Sequence, residues 1–487
     1  MRIPFDNSYA RLPSDFYQRV DPAKVGSPRL VKLNSDLADD LRLDADSLES
    51  SKGVSFLSGQ CLLEGSEPLA MAYCGHQFGH FNPQLGDGRA ILLGELIDSE
   101  GARRDIHLKG SGRTPFSRGG DGLSALGPAI REYLVSEAMH ALGVPTTRAL
   151  AVLESGDQVY RDSIQPGGIF ARVAYSHMRI GTFQWFASKG DRQNLKVLAD
   201  YAIARLYPRC LDSDNPYLAF LEAIVGRQAD LIAHWMSIGF IHGVMNTDNM
   251  NISGETIDYG PCAFMDAYYP QQKFSSIDHH GRYAYGNQAS IGQWNLARLA
   301  ECLLPLLNPD QAKAVELAQV ILEGFTARYQ RELRRRFNAK IGIDNDSEGD
   351  WKLVQSLLTR MAEGRADFTL VFRRLSTVLE CDQATGSVTE LFECEKGVKE
   401  WLDLWRRRIA ELEPASPESL MRSVNPIYIP RNHRVEQVIQ AAVQGDYEPF
   451  LELNTVLAKP FFEQIGFETY ERPPDSSEIV SETFCGT

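Results

Sequence analysis

The chain has 487 residues, of which 43% are hydrophobic and 23% charged, and carries a formal net charge of −14. This length suits one large core or two to three smaller ones, and the composition is that of a globular chain. The acidic balance argues against a general nucleic-acid binder, which needs a basic face, and no apolar run approaches the ~20 residues that span a bilayer.

The N-terminus, Met1-Arg-Ile-Pro-Phe-Asp, has neither a signal-peptide apolar stretch nor an Arg/Ser-rich presequence, so a cytoplasmic location is expected. Cysteines at 61, 74, 210, 262, 302, 381, 394 and 485 form no C-x-x-C pair, which points to a reduced chain without a disulfide framework or zinc ribbon. Cys74, His76 and His80 supply only three ligands and read as a packed polar loop. Arg334-Arg335-Arg336 and Arg406-Arg407-Arg408 read as solvated helix faces.

Residues 1–85 hold short apolar pieces broken by Pro, Gly and Asn, with one helical stretch near Leu33–Leu48. Phe78-Gly79-His80-Phe81-Asn82-Pro83 is a loop by its turn residues. Gly86-Asp87-Gly88-Arg89 then opens a strand, Ala90–Leu96. Alone it is a tight turn, or a set of backbone donors plus one guanidinium for a phosphate; it is neither a Walker loop nor G-x-G-x-x-G. Arg104–Leu108 reads as a second strand in which His107 and Lys109 face away from the apolar side formed by Ile106 and Leu108. A helix follows from Pro128 to a stop at Gly143-Val144-Pro145, with Glu132 in its first turns (132 − 109 = 23 residues beyond Lys109). Protein kinases pair a strand Lys with a helix Glu to position phosphates. Glu132 as a helix N-terminal acid, and Glu137 as a competing partner, remain open at this point. Arg118-Gly119-Gly120-Asp121-Gly122 is a second flexible loop ahead of that helix. A hairpin is expected next, Ala149–Leu153 and Gln158–Arg161 turning at Ser155-Gly156-Asp157, then a strand Gly168–Ala174. Arg172 lies in that strand and Arg179 just after it; the pair is either structural or a clamp for pyrophosphate.

From about residue 190 the pattern is helical, with an amphipathic helix Arg192–Tyr207 and a long buried one from Tyr217 to Gly239. The latter feeds Ile241–Gly260, I-H-G-V-M-N-T-D-N-M-N-I-S-G-E-T-I-D-Y-G. Protein kinases place H-R-D-x-x-x-x-N before D-F-G, with the Asn and the second Asp holding two magnesium ions. His242 and Asn249 keep that spacing (249 − 242 = 7), but Val244 replaces the usual catalytic Asp and an Asp stands at 248 instead. The metal ligands look kept while the proton acceptor has moved. Asn251–Ser253 and Thr256–Ile257 read as a two-stranded hairpin around Gly254. Helices are expected at roughly 289–306, 310–337, 350–363, 366–380 and 395–412. The polar, Pro-punctuated stretch 425–433 has no assigned chemistry, and the tail Arg472–Thr487 is expected to be loose.

Four long motifs resemble the selenoprotein O family of kinase-fold protein adenylyltransferases: F-N-P-Q-L-G-D-G-R (81–89), H-L-K-G-S-G-R-T-P-F-S-R-G-G-D-G (107–122), H-G-V-M-N-T-D-N-M (242–250) with I-D-Y-G-P (257–261), and N-P-x-Y-I-P-R-N-H (425–433). The resemblance covers nearly the whole chain. It implies an α+β, protein-kinase-like two-lobe fold: a mixed β-sheet N-lobe with an N-terminal extension over 1–187, and an enlarged helical C-lobe over 188–487. It implies transfer of AMP from ATP to Ser, Thr or Tyr hydroxyls of protein substrates with release of pyrophosphate. ATP would bind reversed relative to ordinary kinases; uridylyl transfer from UTP with Mn²⁺ is also associated with the family. By resemblance, Gly86, Gly88, Arg89, Lys109, Asp121, Gly122, Arg172 and Arg179 contact the nucleotide, and Glu132 partners Lys109. Asn249 and Asp258 hold Mg²⁺ or Mn²⁺ against it, and Asp248 is the proton acceptor. Some members tie a cysteine after the metal Asp to the C-terminal cysteine. Cys485 matches the terminal position, but Lys273-Phe274-Ser275-Ser276 holds no cysteine, so that bond is not expected here. A monomer is expected. Two other classes stand beside this one. A small-molecule kinase of the aminoglycoside-phosphotransferase type would keep the Asp that Val244 replaces; a non-catalytic pseudokinase scaffold would only bind nucleotide.

Overall fold

The computed structural model describes residues 2–344, 347–380, 385–412 and 416–484, so Cys381 and Cys485 lie outside the described residues. In chain order its strands are β1 (Tyr17–Arg19), β2 (Arg29–Leu33), β3 (Leu69–Met71), β4 (Gly75–Gln77), β5 (His80–Asn82), β6 (Ala90–Ile97), β7 (Arg103–Lys109), β8 (Ser124–Ala125), β9 (Arg148–Tyr160), β10 (Ile164–Ala174), β11 (Phe240–Ile241) and β12 (Ala263–Phe264). The helices of the first half are α1 (Ser35–Asp40), α2 (Ala45–Glu49), α3 (Ser51–Leu57), α4 (Leu126–Ala141) and α5 (Ile180–Ala187). Those beyond are α6 (Arg192–Leu206), α7 (Pro216–Ser237), α8 (Gln288–Leu307), α9 (Gln311–Lys340), α10 (Glu348–Glu363), α11 (Phe368–Glu380), α12 (Thr385–Thr389), α13 (Val398–Ala410), α14 (Pro417–Val424), α15 (Asn432–Val443) and α16 (Glu448–Leu457).

The fold is α+β. An eight-stranded sheet runs β1-β3-β6-β7-β10-β9-β2, with β8 on β10. Its strand pairs are antiparallel, where a mixed sheet was expected. Short hairpin links join β6 to β7 and β9 to β10, and such links favour antiparallel pairing. Both faces are covered. Ile91, Leu93, Ile106, Leu108 and Leu153 pack with Leu37, Leu41, Leu48 and Phe56 from the broken helical stretch α1–α3. Val152 and Phe170 pack with Ile130, Tyr133 and Leu134 of α4. His107 does point away from Ile106 and Leu108, but the face it joins is also closed, and it is fully buried.

Two hairpins expected from turn residues are absent from those positions. Ser155-Gly156-Asp157 sits inside β9 as an irregularity of register, with Gly156 at φ 78 and the Asp157 carboxylate accepting from the Gly26 N–H at 3.0 Å. Its Gly and Asp are bulge chemistry rather than turn chemistry. Around Gly254 the two legs pair outward: Ile252 N–H donates to Met178 and Thr256 N–H to Pro145, at 3.0 and 2.9 Å. The short ladder here is instead β11 with β12.

The helical half packs α7 against α8 and α9 around Ile224, Ile232, Leu296, Leu299 and Phe325. No helix among the described residues is long and apolar enough to cross a membrane. The 425–433 stretch acts as a clamp. Buried Arg431 donates to Asp266 at 2.5 Å, Asp367 at 2.9 Å and the Glu471 carbonyl at 3.0 Å. Asn432 holds the Phe264 carbonyl at 3.0 Å. Periodicity missed helices α14–α16; of these, α15 and α16 bring Val435 and Phe450 onto α4. As far as Phe484 the tail is pinned where a loose one was expected, and residues 485–487 lie outside the described residues. Thr483 N–H donates to the Phe274 carbonyl at 2.7 Å, its Oγ1 donates to the Pro261 carbonyl at 2.7 Å, and Phe484 lines the same cleft as Lys109 and Asp258.

Candidate active site

A cleft of about 730 Å³ lies between the sheet with α4 and the loops that follow α7. All the residues singled out by resemblance line it: Gly86, Gly88, Arg89, Lys109, Asp121, Gly122, Glu132, Arg172, Arg179, Asp248, Asn249 and Asp258.

The Gly86–Arg89 turn reaches the cleft because Asp87 anchors it, accepting from the Met71 N–H at 3.0 Å. Gly86 has φ 69, and a Cβ there would run into the Phe116 ring. The facing loop is tied on by Thr114 Oγ1 to the Asp87 carbonyl at 2.6 Å and Ser117 Oγ to that of Gly88 at 2.5 Å. Asp121, in that loop, is ion-paired with Arg161 at 2.8 Å, which lowers its carboxyl pKa.

Lys109 ends β7 and meets Glu132 of α4 at 2.5 Å. Glu137 is instead occupied by Arg148, at 2.9 and 2.8 Å, which settles the choice of partner. Glu132 also accepts from Arg172 at 3.1 Å. Asp258, at φ 63, gathers three cations: Lys109 at 3.1 Å, Arg172 at 2.7 Å and Arg179 at 2.6 Å. Burial works to raise its pKa, but Arg179, Lys109 and Arg172 together hold it well below the usual carboxylate range.

Asp248 lies on a short 3₁₀ turn, Thr247–Asn249. Its Oδ2 accepts from Gln77 Nε2 at 3.0 Å, while its Oδ1 is buried with no partner. Burial pushes its pKa up to about 6 against the pull of Gln77 and Arg179. Asn249 donates its amide N–H to the Val244 carbonyl at 3.0 Å, which leaves the amide oxygen as its acceptor. No cluster of three or more His, Cys, Asp or Glu among the described residues suits a metal ion. One carboxylate and one amide oxygen on the same wall nevertheless fit Mg²⁺ or Mn²⁺, which take their remaining oxygens from phosphate and water.

Sequence reasoning missed the supports behind these groups. Arg172 Nε donates to His177 Nε2 and its Nη2 to His107 Nδ1, each at 3.2 Å. An arginine only donates, so both imidazoles accept there and carry their proton on the other nitrogen. His107 thus donates to Asp87 at 3.2 Å and His177 to Asp105 at 2.9 Å, with the rings stacked at 4.2 Å. Burial lowers the pKa of both histidines and keeps them neutral. The alternation that put His107 opposite Leu108 was the available signal; nothing in the sequence pointed to His177 or Gln77.

The family model for "Protein adenylyltransferase SelO" matches residues 1–458. The chain is 58% identical over 491 residues to "Protein nucleotidyltransferase YdiU" of Rhodopseudomonas palustris strain BisB5, covering 100% of each chain. It is 57% identical over 486 residues to the protein of that name from Rhizobium meliloti, covering 99% of each, and 54% identical over 495 residues to that of Bradyrhizobium sp. strain BTAi1, covering 100% of each. The chain is therefore a nucleotidyltransferase and belongs to the SelO family of protein adenylyltransferases.

Proposed function

We propose that this enzyme transfers AMP from ATP to serine, threonine or tyrosine hydroxyls of proteins and releases pyrophosphate. Asp248 carries the reading: a buried carboxyl with one unpartnered oxygen and a pKa near 6, on the wall that also holds Asn249 and Asp258. Such a group is suited to take a proton from an attacking hydroxyl at neutral pH.

In this reading ATP lies reversed, with its α-phosphorus toward Asp248; the shift of the acid from position 244 to 248 supports that orientation. The acceptor oxygen gives its proton to Asp248 Oδ1 as it bonds to the α-phosphorus. The bond from that phosphorus to the bridging oxygen breaks, and pyrophosphate leaves with the electron pair. Arg89, Lys109, Arg172, Arg179 and the Gly86–Gly88 backbone bind the phosphates, with Glu132 fixing Lys109 and Arg172. Asn249 and Asp258 would hold Mg²⁺ or Mn²⁺, which supplies charge neutralisation at the phosphate oxygens.

We assign residues 1–187 and 188–487 to the two lobes of a kinase-like fold. The cleft supports this, since Lys109 and Glu132 come from the first part and Asn249 and Asp258 from the second. ATP labelled at the α- or the γ-phosphate tests the chemistry. Label reaching protein from the α-position only is expected, and transfer of γ-label would refute it. UTP with Mn²⁺ run in parallel tests the nucleotide, and faster UMP than AMP transfer would reassign it.

A further inference from the structure

The β4–β5 hairpin seats directly on the Asp248 loop. His76 N–H donates to Thr247 Oγ1 at 2.7 Å, Gln77 reaches Asp248, and Phe78 N–H donates to Asn246 Oδ1 at 3.1 Å. Beside it lies a cationic and aromatic patch that the nucleotide reading does not use. Trp294, half-buried on α8, carries the guanidinium of Arg282 at 4.9 Å from its ring centre and that of Arg298 at 5.0 Å. The His76 ring meets the same indole edge-on at 5.3 Å. Arg282 also packs over the hairpin tip, within 3.6–3.8 Å of where a Cβ on Gly79 would stand.

The charges here are not balanced. Arg298 pairs with Glu301 at 2.7 Å, whereas Arg282 pairs with no carboxylate among the described residues and its Nε has no partner. The nearest acid in its own loop, Asp278, is buried and turned to the backbone, accepting from the Arg282 and Tyr283 N–H groups at 2.9 and 2.8 Å. On a chain of net charge −14 this is a local surplus of positive charge next to the proposed base.

We propose that this patch receives an acidic segment of the acceptor protein, so that carboxylates flanking the hydroxyl select the substrate. The proposal rests on the reading of Asp248 as the acceptor-facing base. A guanidinium held over an indole, as Arg282 is at 4.9 Å, is partly ordered before a partner arrives, so it loses less rotamer freedom when a carboxylate binds its outward nitrogens. Charge complementarity of this kind sets partner choice more than raw affinity.

Two dye-labelled peptides test it, each with the same Ser, Thr and Tyr residues, flanked by Glu in one and by Gln in the other. Binding is read by anisotropy and transfer by α-labelled ATP. The Glu peptide is expected to bind about 10-fold tighter, a preference that shrinks at high salt. R282Q with R298Q should bring the ratio to near one, R282E should favour the Gln peptide, and the KM for ATP should hold. Equal binding of both peptides by the unmodified enzyme, or a preference that survives the double substitution, overturns the proposal. So does tighter binding of an oligothymidylate than of the Glu peptide at this patch. If the preference appears without transfer to either peptide, the docking surface stands and the adenylyl reading falls.

Discussion

At the scale of single residues, Asp248 carries two opposed effects. In its proposed role as base it must be ionised, so kcat is expected to fall as pH drops through about 6, the value to which burial lifts it. Asp248→Asn should lower kcat roughly 10²- to 10⁴-fold and remove that acid limb, with the KM for ATP little changed, as read by α-label transfer across pH. The same burial costs stability. The folded-state pKa lies above the model value of 3.8, so the penalty is full above about pH 6, is relieved as pH falls through 6, and is gone below 3.8. Asp248→Asn should therefore stabilise the fold at pH 7–8 by on the order of 2–3 kcal/mol, and by nothing at pH 3.5. His107 acts one step further back. His107→Phe leaves Asp87 and Arg172 each short of a partner and should lower kcat/KM for ATP roughly 10- to 100-fold. His107→Asn restores an acceptor near Nδ1 and should recover part of that loss, which a packing role alone would not produce.

At the scale of elements, the hairpin of β4 and β5 holds the proposed base, Asp248, through Gln77. The Gln77 amide favours the ionised form of Asp248, so removing it raises the pKa. Gln77→Ala should move the acid limb of the kcat profile to higher pH while the alkaline side stays in place, measured with saturating ATP. Nothing in Gly75–Gln77 marks this role in the sequence, because the partner lies 171 residues away. What was legible is what periodicity and turn chemistry encode locally. β6, β7, α4 and α7 sit within a few residues of where alternation and helical spacing put them. The loops at Gly86–Arg89 and Arg118–Gly122 were legible as turns because Gly86 and Gly122 take positive φ and Gly88 lies too close to the Phe116 carbonyl for a Cβ. The turns at Gly156 and Gly254 were misread because a bulge, an outward-pairing leg and a hairpin all call for the same residues. The Arg172–His107–His177 support was illegible since two segments 65 residues apart supply it and neither is unusual alone.

At the scale of the whole molecule, the chain closes on itself through Arg431, whose guanidinium joins the loop after β12, the start of α11 and the C-terminal segment. Arg431→Ala would strand Asp266 and Asp367 without their cation and is expected to cost about 3–5 kcal/mol in denaturant unfolding. That long-range tie explains why 425–433 reads as a polar loop of no evident chemistry: its partners are distant and its work is mechanical. The anchoring of Thr483 beside Pro261 has a practical corollary for handling the protein. An affinity handle or fluorescent fusion at this end of the chain would leave from beside Phe484, which lines the cleft where we propose that the acceptor protein docks. Handles at the opposite terminus should leave labelling of large acceptors intact, whereas the same handle behind Phe484 should slow it more than it slows labelling of short peptides.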